Sequence, residues 1–207
     1  EVGREETPLA DTSIRVLTSA RTARVHPVAR ALALTTLFAL LTATGAQIAL
    51  RVPFTPVPVT LQVFFVLLSG ALLGSRLGAL SQLQYLGLGL TGLPVFAGGT
   101  TAATVLAGPT AGYLLGFVVA AWIVGRVVES APRPGAIRIL AGMSIGMVAY
   151  YLPGTLWLAL WLHTVSGVPG VQALTTAAAV GTLPFIAVDI AKAVVATGIA
   201  RGARIRR

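Results

Sequence analysis

The 207-residue sequence contains no cysteine, which excludes disulfides, thiolate metal sites and cysteine nucleophiles. Charge is nearly as scarce: Asp, Glu, Lys and Arg together make up 10% of the chain, and only six residues are acids. Histidine occurs twice, at His26 and His163, too isolated for the H-E-x-x-H set of a zinc protease. An intramembrane aspartyl protease needs two acids, yet the apolar stretches hold Asp189 alone. No G-x-x-x-x-G-K-[ST] loop is present, so ATP coupling would have to come from other chains. No internal repeat or low-complexity linker divides the sequence.

Apolar sequence is what the chain has instead. Hydrophobic residues account for 56% of it, mean hydropathy is +0.86, and Ala31 to Leu50, Val52 to Ser75 and Leu77 to Gly125 contain no charged side chain. This is the composition of a polytopic membrane protein with one compact domain, an all-α bundle. The net charge of +9 does not point to nucleic acid, because the basic residues stand at the ends of apolar spans. Arg4, Arg15, Arg21, Arg24 and Arg30 precede the first span, Arg76 separates the second and third, and Arg126, Arg133 and Arg138 flank the fourth connection. Arg201, Arg204, Arg206 and Arg207 end the chain, and Arg51 alone falls on the other side. By the positive-inside rule both termini are cytoplasmic, which requires an even number of spans, and six fit.

The spans are expected near 29–50, 60–75, 77–92, 109–128, 138–162 and 184–203, with the second and third short for a bilayer. Residues 1–28 then form a cytoplasmic N-terminal tail, 29–203 the six-helix membrane domain and 204–207 a basic cytoplasmic tail. Glu1, Glu5, Glu6 and Asp11 lie in the first tail. Arg21 to Arg30 followed by an apolar run and ATGA has the outline of a signal peptide. The run of about 20 residues is longer than the usual h-region of about 7 to 15, and its removal would leave an odd span count, so it is read as the first helix. Gly92 to Gly108 reads as a loop, and Val171 to Leu183 as an interfacial helix or capping loop. Small residues recur at four-residue spacing, as in Gly70, Gly74 and Gly78 or Gly108, Gly112 and Gly116, the pattern of closely packed helices in lipid. Ala39 and Ala43 form a similar stripe that serves either packing or another subunit.

Asp189 and Lys192 are the only charged side chains between Arg138 and Arg201. An ionisable group within a span is costly and normally faces a cavity or a partner. Three residues apart on a helix, the two share a face. From residue chemistry alone they mark a site for a small anionic ligand in the outer half of the last helix, or an internal ion pair that orients it.

Four segments, VPFTPVPVTLQ at 52–62, GLPVFAGG at 92–99, GPTAGYLLGF at 108–117 and PFIAVDIAK at 184–192, occur in this order on the apolar spans. Together they resemble BioY, the biotin-binding S component of energy-coupling-factor (ECF) vitamin transporters, from about Ala31 to Arg201. The resemblance implies a six-helix membrane protein, not an enzyme and without a cofactor, that takes up biotin from the outer side of a prokaryotic plasma membrane. It implies partnership with a membrane T component and cytoplasmic ABC-type ATPases. A solitary oligomeric biotin carrier, or an S component for another small anionic vitamin, is the alternative.

Matching the family pattern places Asp189, Lys192, Gln62, Thr60, Tyr85, Gly98, Gly99 and Thr100 at the substrate. Lys192 is expected at the valerate carboxylate of biotin and Asp189 at the ureido N–H. Gln62 and Thr60 stand where the first outer loop enters the second helix, either contacting ligand or capping that helix. Tyr85 offers an amphipathic ring. Thr100 replaces an Asn sometimes found in the family's glycine-rich loop, and Ala187 and Val188 replace a usual Pro-Gly before the Asp. Trp157 and Trp161, with Tyr150 and Tyr151 deeper, could stack on a bicyclic ligand, the tryptophans alternatively anchoring their helix at the interface. His163 reads as a solvated loop residue, and Arg51 as a snorkelling end residue or as a cation that attracts an anionic vitamin.

Overall fold

The computed structural model describes residues 26–205; the acids and arginines expected in the N-terminal tail at 1–25, and Arg206 and Arg207, lie outside them. The helices are α1 (Pro27–Gln47), α2 (Gln62–Leu73), α3 (Ser75–Leu90), the single turn α4 (Ala102–Leu106), α5 (Ala111–Glu129), α6 (Ala136–Ser166), α7 (Gly170–Gly181) and α8 (Leu183–Ile205). Two-residue strands β1 (Ala49–Leu50) and β2 (Val59–Thr60) pair antiparallel, Ala49 opposite Thr60. A 3₁₀ turn at Ala97–Gly99 interrupts the loop before α4.

Four helical stretches among the described residues are long and apolar enough to cross a membrane: Pro27–Gln47, Ala111–Glu129, Ala136–Ser166 and Gly170–Ala203. The 12 residues of α2 rise only about 18 Å, well short of the roughly 30 Å of hydrocarbon. Irregular backbone at membrane depth persists only where protein buries it or it lines a polar cavity. Here residues 51–61 and 92–101 occupy the space the short helices leave, and they become cavity wall.

The sequence put the break between the second and third spans at Arg76; it falls at Gly74, and Arg76 lies inside α3. Gly74 takes φ +86, a left-handed angle that side chains disfavour. Glu129, at the end of α5, closes the corner: its carboxylate accepts the Ser75 backbone N–H at 3.1 Å and the Ser75 hydroxyl at 2.7 Å. An acid there also complements the positive end of α3. The first span stops three residues earlier than expected because residues 49–50 turn into β1. Residues 171–183, expected as an interfacial helix or capping loop, fall mostly in the 12-residue helix α7, which breaks at Thr182 before Pro184.

Helix α5 packs against α2, α3 and α6, while α8 closes the bundle against α2 and α6. Behind the cavity a fully buried polar node ties α1, α2 and α3. The Gln82 amide donates to Ser69 Oγ at 3.2 Å and Ser81 Oγ at 3.0 Å, and Thr42 donates to the Gln82 carbonyl at 3.4 Å. The small-residue stripes set the helix spacing: a Cβ on Gly116 would stand 2.7 Å from Tyr150 Cα, whereas one on Gly198 would meet nothing within 4 Å. Ala39 and Ala43 are buried within the bundle.

Overpacking a close helix contact typically costs about 1–3 kcal/mol. Gly116→Ala is therefore expected to lower the melting temperature in detergent clearly, while Gly198→Ala leaves it unchanged or raises it. Equal melting of the two variants would show that α5 and α6 are not held at this spacing.

Candidate functional site

Loops and helix ends at one end of the bundle enclose a cavity of about 480 Å³, a size typical of small-molecule sites. Its wall draws on the 51–60 segment, the start of α2, the 96–110 loop, the first turns of α5, the middle of α6 and the first three turns of α8. Each element contributes for a local reason. Helix α8 starts at Leu183 because the Thr182 break is satisfied from outside: the Tyr113 hydroxyl donates to the Gly181 carbonyl at 2.9 Å, and the Thr155 and Thr182 hydroxyls are 2.6 Å apart. That start sets the depth of Asp189 and Lys192, two and three turns down.

Asp189 is 2% exposed, and its carboxylate is enclosed by donors. Oδ1 accepts from Lys192 Nζ at 2.7 Å, and Oδ2 accepts from the hydroxyls of Tyr151, at 2.7 Å, and Tyr150. Lys192, the sole lysine of the chain, also donates to the Thr60 carbonyl at 2.7 Å, across 132 residues of sequence. Three of the roughly four acceptor positions of the carboxylate and two of the three ammonium donors are thus committed, leaving about one of each for a ligand. The pair is electrically neutral as a unit.

Thr60 reaches further. Its hydroxyl donates to Gln62 Oε1 at 2.9 Å, and Gln62 Nε2 donates to the Tyr85 hydroxyl at 2.7 Å. Tyr85 is fully buried behind Gln62, edge-on to Phe96 at 5.4 Å between ring centroids, and does not itself line the cavity. From the glycine-rich loop, Ala97 and Thr100 reach the wall while Gly98 and Gly99 do not. Thr100 donates to the Ala97 carbonyl at 3.1 Å, and Gln47 Nε2 donates to the Phe96 carbonyl at 3.2 Å, tying the loop to α1.

Of the residues matched from sequence, Asp189, Lys192, Thr60, Gln62 and Thr100 therefore meet on one cavity. Tyr150 and Tyr151 were read as stacking rings; they also hold the buried carboxylate. Adjacent residues on a helix diverge in direction, so no spacing rule would have paired both with Asp189. Phe117, edge-on to Tyr150 at 5.7 Å, and Phe185 complete an apolar side. The two tryptophans read as interface anchors donate into the wall: Trp157 to the Gly108 carbonyl at 2.9 Å and Trp161 to the Ala107 carbonyl at 3.0 Å. His163 approaches the Val168 carbonyl at 2.8 Å and takes no part in the cavity.

The model of the BioY family matches residues 15–207. The chain belongs to the BioY family. This BioY chain is 41% identical to a probable biotin transporter BioY of Pyrococcus horikoshii, over 83% of this chain and 94% of that one. It is 39% identical to the biotin transporter BioY of Thermotoga maritima, over 79% and 89% of the two chains. Its fold is similar to the crystal structure of an S-component for biotin from an ECF-type ABC transporter, with a TM-score of 0.64 and 25% identity, covering 84% of this chain and 90% of that one. The BioY chain is thus a multi-pass protein of a prokaryotic plasma membrane and a transport protein, not an enzyme.

Removing one partner of a buried charge pair typically costs about 3–5 kcal/mol, because the other charge is left uncompensated. Lys192→Met is expected to destabilise the protein by that order, and the double variant Asp189→Asn/Lys192→Met to recover most of the loss. Thermal unfolding in detergent measures both; a double variant as unstable as the sum of the singles would mean the pair is not coupled.

Proposed function

We propose that this protein captures biotin on the outer side of the plasma membrane as the S component of an energy-coupling-factor transporter. The observation that carries the reading is the neutral Asp189–Lys192 pair on the cavity wall, with one acceptor and one donor position left uncommitted. The ureido ring of biotin offers N–H donors beside a carbonyl acceptor, a neutral group complementary to both. The relatives named biotin transporters support the same ligand.

The expectation from sequence set Lys192 against the ligand carboxylate. Donor counting favours the other pose. Lys192 keeps about one free N–H, and a carboxylate beside it would also sit against the Asp189 charge. The ureido ring therefore goes to Asp189 and Lys192, flanked by Tyr150 and Tyr151, with the fused rings against Phe117 and Phe185. Thr60 and Gln62 line the near wall, Tyr85 holds Gln62 in orientation, and Thr100 faces the ligand from the loop whose Gly98 and Gly99 let it fold over the mouth.

On this reading α1, α2, α3, α5, α6 and α8 each cross the membrane, which sets Arg30, Arg76, Arg126, Arg133, Arg138 and Arg201 at one end, opposite the cavity. The positive-inside rule makes that end cytoplasmic, with both termini, and turns the cavity outward. Residues 29–203 then form the biotin-binding membrane domain. With no nucleotide-binding loop in the chain, energy comes from a membrane T component and cytoplasmic ATPases.

Equilibrium binding to the purified protein in detergent tests the reading. Biotin is expected to bind tightly, desthiobiotin to compete and thiamine not to. Asp189→Asn is expected to weaken biotin at least about thirtyfold, the low end for truncating a buried charge partner. A wild-type protein that binds no biotin would sink the assignment, and an unchanged Asp189→Asn affinity would remove the pair from the site.

A further inference from the structure

We infer that Arg51 is the carboxylate-recognition residue of the cavity, held at its mouth by the side-chain-free position of Gly98; this rests on the biotin reading above. Arg51 directly follows β1 and lines the cavity beside Val52, Thr55 and Thr100. Read from sequence as a snorkelling end residue or an attractor of an anionic vitamin, it rests against the glycine-rich loop. A Cβ on Gly98 would stand 2.6 Å from Arg51 Nη2, so the guanidinium rests where any other residue would place its side chain. The same glycine has φ +70, which side chains disfavour as well.

Charge counting singles Arg51 out. Asp189 and Glu129 are the acids among the described residues. Asp189 is paired with Lys192, and Glu129 is bound to Ser75 at the opposite end. Among the described residues Arg51 has no ion-pair partner, so the cavity wall carries one uncompensated positive charge, at its mouth. A guanidinium offers five donors in a fork that fits a carboxylate in two parallel hydrogen bonds. A ligand with a neutral polar head and an anionic tail thus finds a neutral pair deep in the cavity and a free cation at its opening. The polarity of the site fixes which end enters first.

The inference is separable from biotin binding as such by comparing biotin with its primary amide, which keeps the ureido ring and loses the charge. Wild type is expected to favour biotin by about tenfold or more, the scale of one charge-assisted hydrogen bond. Arg51→Gln is expected to bring that ratio near one while still binding the amide. Arg51→Lys keeps part of the preference, and Gly98→Ala reduces it by displacing the guanidinium. On the wild-type protein alone, rising salt should weaken biotin more than the amide, since an exposed charge contact is screened. An Arg51→Gln variant that discriminates as well as wild type would overturn the inference and return the carboxylate to Lys192. Wild type binding both ligands equally would overturn it while leaving the biotin site standing, and wild type binding neither would overturn the underlying reading.

Discussion

A carboxylate inside a bilayer is tolerable only if its surroundings replace water, and much of this fold meets that requirement for Asp189. Its donors come from three directions: Lys192 on the same helix, and Tyr150 and Tyr151 from α6. Lys192 in turn is held by the Thr60 carbonyl at the end of β2. One ionised group thereby fixes the mutual position of α6, α8 and the hairpin that precedes α2. Because the Asp189 carboxylate and the Lys192 ammonium are partnered within the protein, neither is left as an orphan buried charge, which is the costly condition in a medium of low dielectric.

The cavity is a consequence of helix length. Full-length helices would fill the cavity end of the bundle with side chains. Here α2 and α3 stop short, and extended backbone at 51–61 and 92–101 takes their place, with its polar groups turned to partners such as Lys192 and Gln47. Close glycine contacts, Gly70 against Ala121 for one, keep the deeper half of the bundle tight. The open half is then supported from the side, by Tyr113 on Gly181 and by Trp157 and Trp161 on the 107–108 carbonyls.

Local rules in the sequence reached far into this arrangement. Charge-free runs located the apolar helices, and the three-residue spacing of Asp189 and Lys192 put both on one face, where they do form an ion pair. What escaped was either a matter of backbone angle or of contact between distant segments. Arg76 is the charge nearest the α2–α3 turn, but Gly74 makes the turn because it alone there tolerates φ +86. Tyr150 and Tyr151 point at Asp189 from 39 and 38 residues away, and Arg51 meets Gly98 across two loops. Neither has a periodicity to betray it. Tyr85, matched from the family pattern as a substrate residue, orients Gln62 from behind the wall.

A vitamin carrier must hold its ligand and also let it go, and the distribution of charge bears on both. If the deep part of the cavity carried a bare cation, ligand release would leave that cation unsolvated, and binding would be hard to reverse. With Asp189 and Lys192 closed on each other, the polar head of the ligand in the proposed pose would add hydrogen bonds to a pair that is already neutral, and its departure would leave that pair intact. The uncompensated charge sits instead at Arg51, which is exposed, where water can take over from a departing carboxylate at small cost. The proposed roles thus separate long-range attraction for an anionic ligand from the buried groups that would read its shape. The strength of the first can change with ionic strength or with substitution at the mouth without disturbing the second.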